Sequence, residues 1–419
     1  MSAQPLPRWN DELAQAYRTV RQTTASLCED LSAEDCQLQS MADASPVKWH
    51  LAHTTWFFET FVLGDRVEPF DPAYRVLFNS YYVGVGERHP RAQRGLLSRP
   101  SLDDVWAYRR HVDAHIERWL VDTTDPAQLA LLELGLHHEQ QHQELILTDL
   151  KHHFGCNPLA PAYRPAPKAT TDVHSPMRFV HFEGGLCEIG HAGGGFAFDN
   201  EGPRHRVWLE PFELANRLVT QGEFAAFIAD GGYRRPELWL SEGWDVAQAQ
   251  RWQAPLYWQP NGDGWSSFSL HGRRPLAAAE PVCHISLFEA DAFARWAGAR
   301  LPTEAEWEHA ADAGGAQALQ DAGTLLDDQR FHPAPARQGR GLQQLFGDCW
   351  EWTASAYLPY PGYAPPQGAV GEYNGKFMIN QMVLRGGSCA TPRSHLRSSY
   401  RNFFPAATRW QFSGLRLAR

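Results

Sequence analysis

Apolar residues recur every three or four positions through most of the first 155 residues, and the pattern then breaks into short alternating runs. Leu13, Ala14, Tyr17, Val20 and Leu27 supply the apolar positions of a helix between Asn10 and Leu31, and Ser32 in LSAED offers a cap for a new turn. In VKWHLAHTTWFFETFVL (47–63), Trp49, Ala52, Trp56, Phe57 and Thr60 keep helical spacing. A third helix is expected over 101–121, where Ser101 and Asp104 spell a capping box, and a fourth over 125–154, with Asp125 as N-cap and Pro126 at the first helical position. Four long helices in succession predict an up-and-down bundle.

The stretch PLAPAYRPAPKATTDVHSP after Asn157 is Pro-rich and aperiodic, which reads as a linker. The division expected is therefore a helical domain over 1–157, a linker over 158–176 and a second domain over 177–419. That second part carries short alternating runs such as RFVHFEGGLCEIG (178–190), RHRVWLEPFELA (204–215) and MVLRGGS (382–388), separated by Gly-rich turns. Helices are expected only at 220–230, 286–298 and 303–312, so the fold class predicted for this half is α+β with much irregular structure. No internal repeat is visible.

A length of 419 residues fits two or three domains, and 43% hydrophobic with 21% charged residues is a globular composition. Lys and Arg number 38 against 48 Asp and Glu, a net charge of −10, which gives no general attraction to phosphate backbones or anionic lipid. Neither nucleic acid nor membrane is expected as a partner. Seven cysteines (Cys28, Cys36, Cys156, Cys187, Cys283, Cys349, Cys389) are odd in number and include no CxxC pair, so a reducing compartment is predicted. The chain shows no secretory leader pattern and no run of about 18 apolar residues, and the expected location is the cytoplasm. The 19 His and 16 Trp stand out. Excess histidine points to metal or proton chemistry, and excess tryptophan to an aromatic-pinned fold or a ligand pocket.

The sharpest local signal is HHEQQHQE (137–144). His138 and His142 are four apart, so on a helix both aim a ring nitrogen at one point. The same letters spell the zinc-hydrolase pattern H-E-x-x-H, with Glu139 as would-be base, and equally fit a polar helix face. The residues that follow lack the Gly and His of the extended protease signature. In WHLAHTTWFFE, His50 and His53 lie among aromatics, and a bundle brings such a face opposite the other pair. Three imidazoles leave coordination positions open, a variation on the two-histidine, one-carboxylate iron site. FNSYY places Tyr81 and Tyr82 where a loop leaves the bundle, followed by Arg88, Arg91, Arg94 and Arg99. Phenols move protons and guanidinium groups clamp carboxylates, although a packed tyrosine pair and a solvated basic loop have the same sequence.

Taken together, KWHLAHTTWFFETF, FNSYY, HHEQQHQELILTDLKH, ADGGYRRPELWLSEGW, WAGARLPTEAEWEHAA, FGDCWEWTAS, MVLRGGSCATPRSHLRSSYRNFF and GLRLAR resemble the ergothioneine sulfoxide synthase family over nearly the whole chain. The resemblance implies a DinB-like four-helix bundle joined to a domain like that of formylglycine-generating enzymes, sulfatase-modifying factors and C-type lectins. It further implies a non-haem iron(II) enzyme that uses dioxygen to couple the imidazole C2 of Nα-trimethylhistidine (hercynine) to a thiol, giving a sulfoxide. By motif, the iron ligands are His53, His138 and His142, while His50 and His137 are left out. Gln141 and Asn402 match hercynine contacts, Phe403 and Phe404 are candidates to pack on the trimethylammonium, and Tyr81 or Tyr82 is expected to deliver a proton.

The donor divides the family. Users of γ-glutamylcysteine carry an acidic residue two places after the Asn of the R-N-aromatic motif; that place is Phe404 here, which favours free cysteine, with Arg91 or Arg94 as carboxylate clamp. The close relative selenoneine synthase joins hercynine to a selenosugar, and it is the alternative, because SLFEADAF (286–293) departs from the tyrosine-containing form associated with cysteine users. A zinc hydrolase built on H-E-x-x-H is the second alternative, and a sugar-binding module, which leaves the histidines unexplained, is the non-enzyme one. In the second half, Trp350 and Trp352 are expected to pin the core and Gly386 and Gly387 to make a tight turn. Near the end of the chain only Cys389 stands, with Cys349 as a distant candidate for a reactive pair, so a copper-dependent cysteine oxidase is not expected.

Overall fold

A computed structural model describes residues 6–166, 175–339 and 341–419. Much of the expected linker, 167–174, lies outside the described residues. The chain divides into two compact units: one runs to Cys156 and also takes Pro366–Tyr373, and the other comprises Asn157–Pro365 and Asn374–Arg419.

The first unit is helical: α1 (Leu6–Ser26), α2 (Ala33–Gln37), α3 (Val47–Phe57), α4 (Tyr74–Leu77), α5 (Leu102–Asp122) and α6 (Pro126–Gly155). The two long C-terminal helices start where the caps predict. Ser101 Oγ accepts from Asp104 N (3.2 Å) while Asp104 Oδ2 accepts from Ser101 N (2.9 Å), and Asp125 Oδ1 accepts from Ala127 N (3.0 Å). Helix α1 packs on α5 and α6, and α3 on both α5 and α6, which makes α1, α3, α5 and α6 the bundle. The helix expected over 47–63 is present but widens into a π-helical turn over Phe58–Leu63. Buried Phe58 sits there against Gly135 of α6, where a Cβ would come 2.5 Å from its ring. Glycine therefore sets how closely α3 and α6 approach.

Pro366–Tyr373 falls within the stretch expected to be the second domain, yet it packs with the helices. The Glu372 carboxylate accepts from Val83 N (3.2 Å) and Gly84 N (2.8 Å), and Tyr373 meets Tyr81 edge-on (5.7 Å).

The second unit has eleven short strands among the described residues: β1 (Phe179–Phe182), β2 (Gly185–Ile189), β3 (His205–Leu209), β4 (Phe212–Ala215), β5 (Trp258–Asn261), β6 (Gly264–Ser269), β7 (Gly272–Pro275), β8 (Trp350–Ala356), β9 (Met382–Arg385), β10 (Asn402–Phe404) and β11 (Ser413–Gly414). They form two-stranded β1-β4 and β2-β3, three-stranded β5-β6-β7, and four-stranded β10-β9-β8-β11, in which only the β8–β11 pair is parallel. Around them lie α7 (Gln221–Ala229), α8 (Ser241–Ala249), α9 (Leu287–Trp296), α10 (Glu304–Ala313) and α11 (Ala316–Ala322). Helices α7, α9 and α10 stand at the expected places; α8 and α11 were not anticipated. Gly243 inside α8 reads as a helix breaker, but a Cβ there would lie 2.7 Å from Phe288 of α9, so close packing explains it.

Trp307, Trp350 and Trp352 are fully buried in this unit. The Trp307 indole donates to Glu351, whose carboxylate also takes a two-pronged Arg416 (2.7 and 2.9 Å). Gly386 and Gly387 both have positive φ (97° and 81°), and a Cβ on Gly386 would strike the Leu345 carbonyl at 2.4 Å. No helix among the described residues is long and apolar enough to cross a membrane.

Candidate metal centre

Helix α6 places His138 and His142 one turn apart on one face, and α3 brings His53 against them. Each residue offers a ring nitrogen within 4.8 Å of the other two, and all three are buried. The ring centroids stand 4.7–5.0 Å apart. His53 Nδ1 donates to the Phe78 carbonyl (2.6 Å), and His142 Nδ1 lies 2.8 Å from His50 Nδ1. His138 Nδ1 is buried with no hydrogen-bond partner. Burial pulls all three pKa values down, that of His138 to about 4, so near pH 7 the rings are neutral and their lone pairs are available. Three neutral imidazoles with an orphaned nitrogen among them fit a transition-metal ion.

Aromatic rings wall the group. The His53 ring stacks on Trp49 (4.5 Å, 12°) and on Trp56 (5.6 Å, 15°), and Phe57 lies 4.7 Å from His138. Trp49 also carries the Arg94 guanidinium carbon 3.3 Å from its ring centroid.

Glu139 is committed elsewhere. Its Oε2 takes Arg21 of α1 (2.8 Å) and its Oε1 takes Arg109 of α5 (3.0 Å), all three side chains being buried. Burial pushes its carboxyl up, but the two guanidinium groups outweigh this and hold it at about 2. A carboxylate locked between two cations has no spare basicity and does not reach the histidine group, so the zinc-hydrolase alternative loses its general base.

The model of the sulfatase-modifying factor enzyme 1-like domain matches residues 165–419, and that of the DinB superfamily matches 16–146. The hercynine oxygenase of Mycolicibacterium thermoresistibile is 32% identical over 97% of this chain and 94% of its own, and that of Mycobacterium tuberculosis is 33% identical over 97% and 96%. The chain belongs to the hercynine oxygenase family. A formylglycine-generating enzyme from Streptomyces coelicolor is also similar, at 32% identity, over only 55% of this chain and 84% of its own. The similarity to the oxygenase relatives thus runs through both parts of this chain, the helical part that matches the DinB model and the mixed part that matches the sulfatase-modifying model.

The other residues singled out in the sequence of this family member separate clearly. Tyr82 is buried against Phe61 (4.9 Å) and Trp56 (5.7 Å), the latter also stacked on His53, and burial pushes its hydroxyl pKa up. Tyr81 is half-buried beside Tyr373. Arg91 is exposed and donates to the Asp43 carbonyl. Arg94 is buried: its Nη1 donates to Ser45 Oγ (2.9 Å), its Nη2 to Ser80 Oγ (3.0 Å), and its Nε has no partner. With hydroxyls rather than carboxylates as partners, burial pulls its pKa down to about 9. Gln141 is half-buried on α6. Asn402, Phe403 and Phe404 lie in the second unit on β10, each half-buried. Asn402 Oδ1 accepts from Phe403 N (2.9 Å), Phe403 stacks face-on with Tyr357 (4.0 Å, 8°), and Phe404 meets Trp410 (6.3 Å).

Sequence reasoning named His50 but left it without a role, and it passed over Asp149. His50 Nε2 lies 3.0 Å from Asp149 Oδ2, and Ser45 N donates to the same oxygen (2.8 Å). The signal was spacing: Asp149 is seven residues after His142 on one helix face, and His50 three before His53. Tyr373 and Glu372 carried no local signal at all.

Proposed function

We propose that this hercynine oxygenase family member is an iron(II) enzyme that couples C2 of the hercynine imidazole to the sulfur of free cysteine, in the cytoplasm. The observation that carries the reading is the buried group of three neutral imidazoles, His53, His138 and His142, in a chain of this family. The overall change balances as hercynine C2–H plus R–SH plus O2 giving the C2–S(=O)–R sulfoxide plus water. Both substrate hydrogens leave in the water, and dioxygen takes up four electrons. Iron(II), held by the three histidines, would supply the binding and activation of dioxygen.

The protein's own residues do the rest. Trp49, Trp56 and Phe57 keep bulk water from the histidines. The Oη of Tyr81 or Tyr82 supplies a proton to the reaction. Arg94 suits the carboxylate of the thiol donor, because it is a buried guanidinium whose partners are neutral hydroxyls; exposed Arg91 is the weaker candidate. Gln141, Asn402 and Phe404 serve hercynine, whereas one face of Phe403 is already covered by Tyr357. A selenosugar has no carboxylate for Arg94, and γ-glutamylcysteine finds Phe404 where an acid would meet its amino group.

Aerobic reaction of the iron-loaded protein with hercynine and equal amounts of cysteine, γ-glutamylcysteine and selenoglucose, resolved by mass spectrometry, tests this. The cysteine sulfoxide is expected to dominate, and Arg94→Met to raise the KM for cysteine at least tenfold with little change for hercynine. A mainly selenium-containing product would replace cysteine as donor, and no hercynine product at all would overturn the function.

A further inference from the structure

Four buried residues form a chain that ends on one of the three histidines. Asp149 Oδ2 accepts from Ser45 N (2.8 Å) and stands 3.0 Å from His50 Nε2, and His50 Nδ1 stands 2.8 Å from His142 Nδ1. Exposure is 1% for Ser45, 2% for His50 and Asp149, and 8% for His142, so water does not compete for these bonds.

The order of protons along this chain follows from what each atom can do. A carboxylate only accepts, so His50 keeps its proton on Nε2, facing Asp149. Neutral His50 then has a lone pair on Nδ1. Two ring nitrogens 2.8 Å apart share a single proton, so that proton belongs to His142 Nδ1. The remaining nitrogen of His142, Nε2, is left with its lone pair for the metal. We infer that Asp149 and His50 are positioning residues that lock His142 in the one tautomer able to ligate through Nε2, an inference that rests on the reading of the three histidines as a metal site.

The neighbouring ligand repeats the arrangement with simpler parts. His53 Nδ1 donates to the Phe78 carbonyl, an obligate acceptor, which leaves Nε2 free in the same way. His50 itself is not a fourth ligand, because both of its nitrogens are engaged. A ligating imidazole whose other N–H bonds an acceptor backed by a carboxylate is more basic and better oriented, and losing such a partner costs about 10–100-fold in metal affinity.

The test is Co(II) binding followed by visible absorption, with Fe(II) binding by chelator competition, on the full chain and on His50→Phe, His50→Gln and Asp149→Asn. Phe has no acceptor for the His142 proton, so H50F is expected to bind both metals about 10–100-fold more weakly. Gln offers a carbonyl to His142 and an amide N–H to Asp149, preserving the direction of both bonds, so H50Q should stay within about threefold of the parent chain. D149N removes the charge and is expected to weaken binding at least threefold, a readout that stands even where H50F fails to fold. Unchanged affinity in D149N or in folded H50F, or H50Q as weak as H50F, overturns the tautomer lock. A parent chain that binds neither metal overturns the metal-site reading instead.

Discussion

Glu139 decides more about this site than its place in H-E-x-x-H suggests. It stands between two candidate ligands in sequence, but one step around the helix turns it away from them, and there it joins Arg21 and Arg109. Removing one partner of such a buried cluster leaves uncompensated charge, at about 3–5 kcal/mol. Glu139→Gln is therefore expected to destabilise the helical unit by that amount in denaturant titrations, while the variant still binds metal below its melting point; loss of metal without loss of stability would reinstate Glu139 as part of the centre. The His138 and His142 pair was legible because helical spacing alone puts both on one face. Glu139's partners, 118 and 30 residues away, were not, since no local pattern encodes which helices meet.

Among the elements, α6 carries the candidate ligands His138 and His142 as well as Asp149 and Glu139, so its seating governs the centre. Gly135 lies three residues before His138, where a Cβ would approach Phe58 to 2.5 Å and Phe57 to 3.1 Å. Both rings are buried. Gly135→Ala gains about 1 kcal/mol of helix propensity but forces overpacking costing about 1–3 kcal/mol. The net expectation is a lower melting temperature together with weaker metal binding, and a rise in both would show that α6 has slack there. Helices α1, α3, α5 and α6 were readable from apolar period and caps. The π-helical turn at Phe58–Leu63 and helix α8 were not, because each answers to tertiary packing that overrides local preference.

Across the whole molecule, the relatives' coverage and the order of both family models account for nearly the entire chain. Pro366–Tyr373 is the exception to simple division along the sequence, since its contacts with Val83, Gly84 and Tyr81 join residues 288 to 292 apart. The second unit adds a titration of its own. Burial raises the Asp348 carboxyl from 3.8 to about 7, against the pull of the Ala334 N–H that it accepts (2.7 Å). Its folded-state pKa lies above the unfolded one, so its stability is full below about pH 4, falls as pH rises towards 7, and then levels off, with a total on the order of 4 kcal/mol. Asp348→Asn keeps an acceptor for Ala334 and cannot titrate. Relative to the parent, it should gain stability between pH 4 and 7 in denaturant titrations; a pH-independent difference would contradict this.

The claim on which the rest depends is that His53, His138 and His142 hold the iron that hercynine coupling requires. The direct measurement is iron content and hercynine–cysteine sulfoxide formation in parallel for the parent chain, His138→Ala and His137→Ala. The account predicts about one iron per chain and turnover in the parent and in H137A, whose side chain is one step off the ligand face, and neither in H138A. Full iron and full turnover in H138A would contradict it.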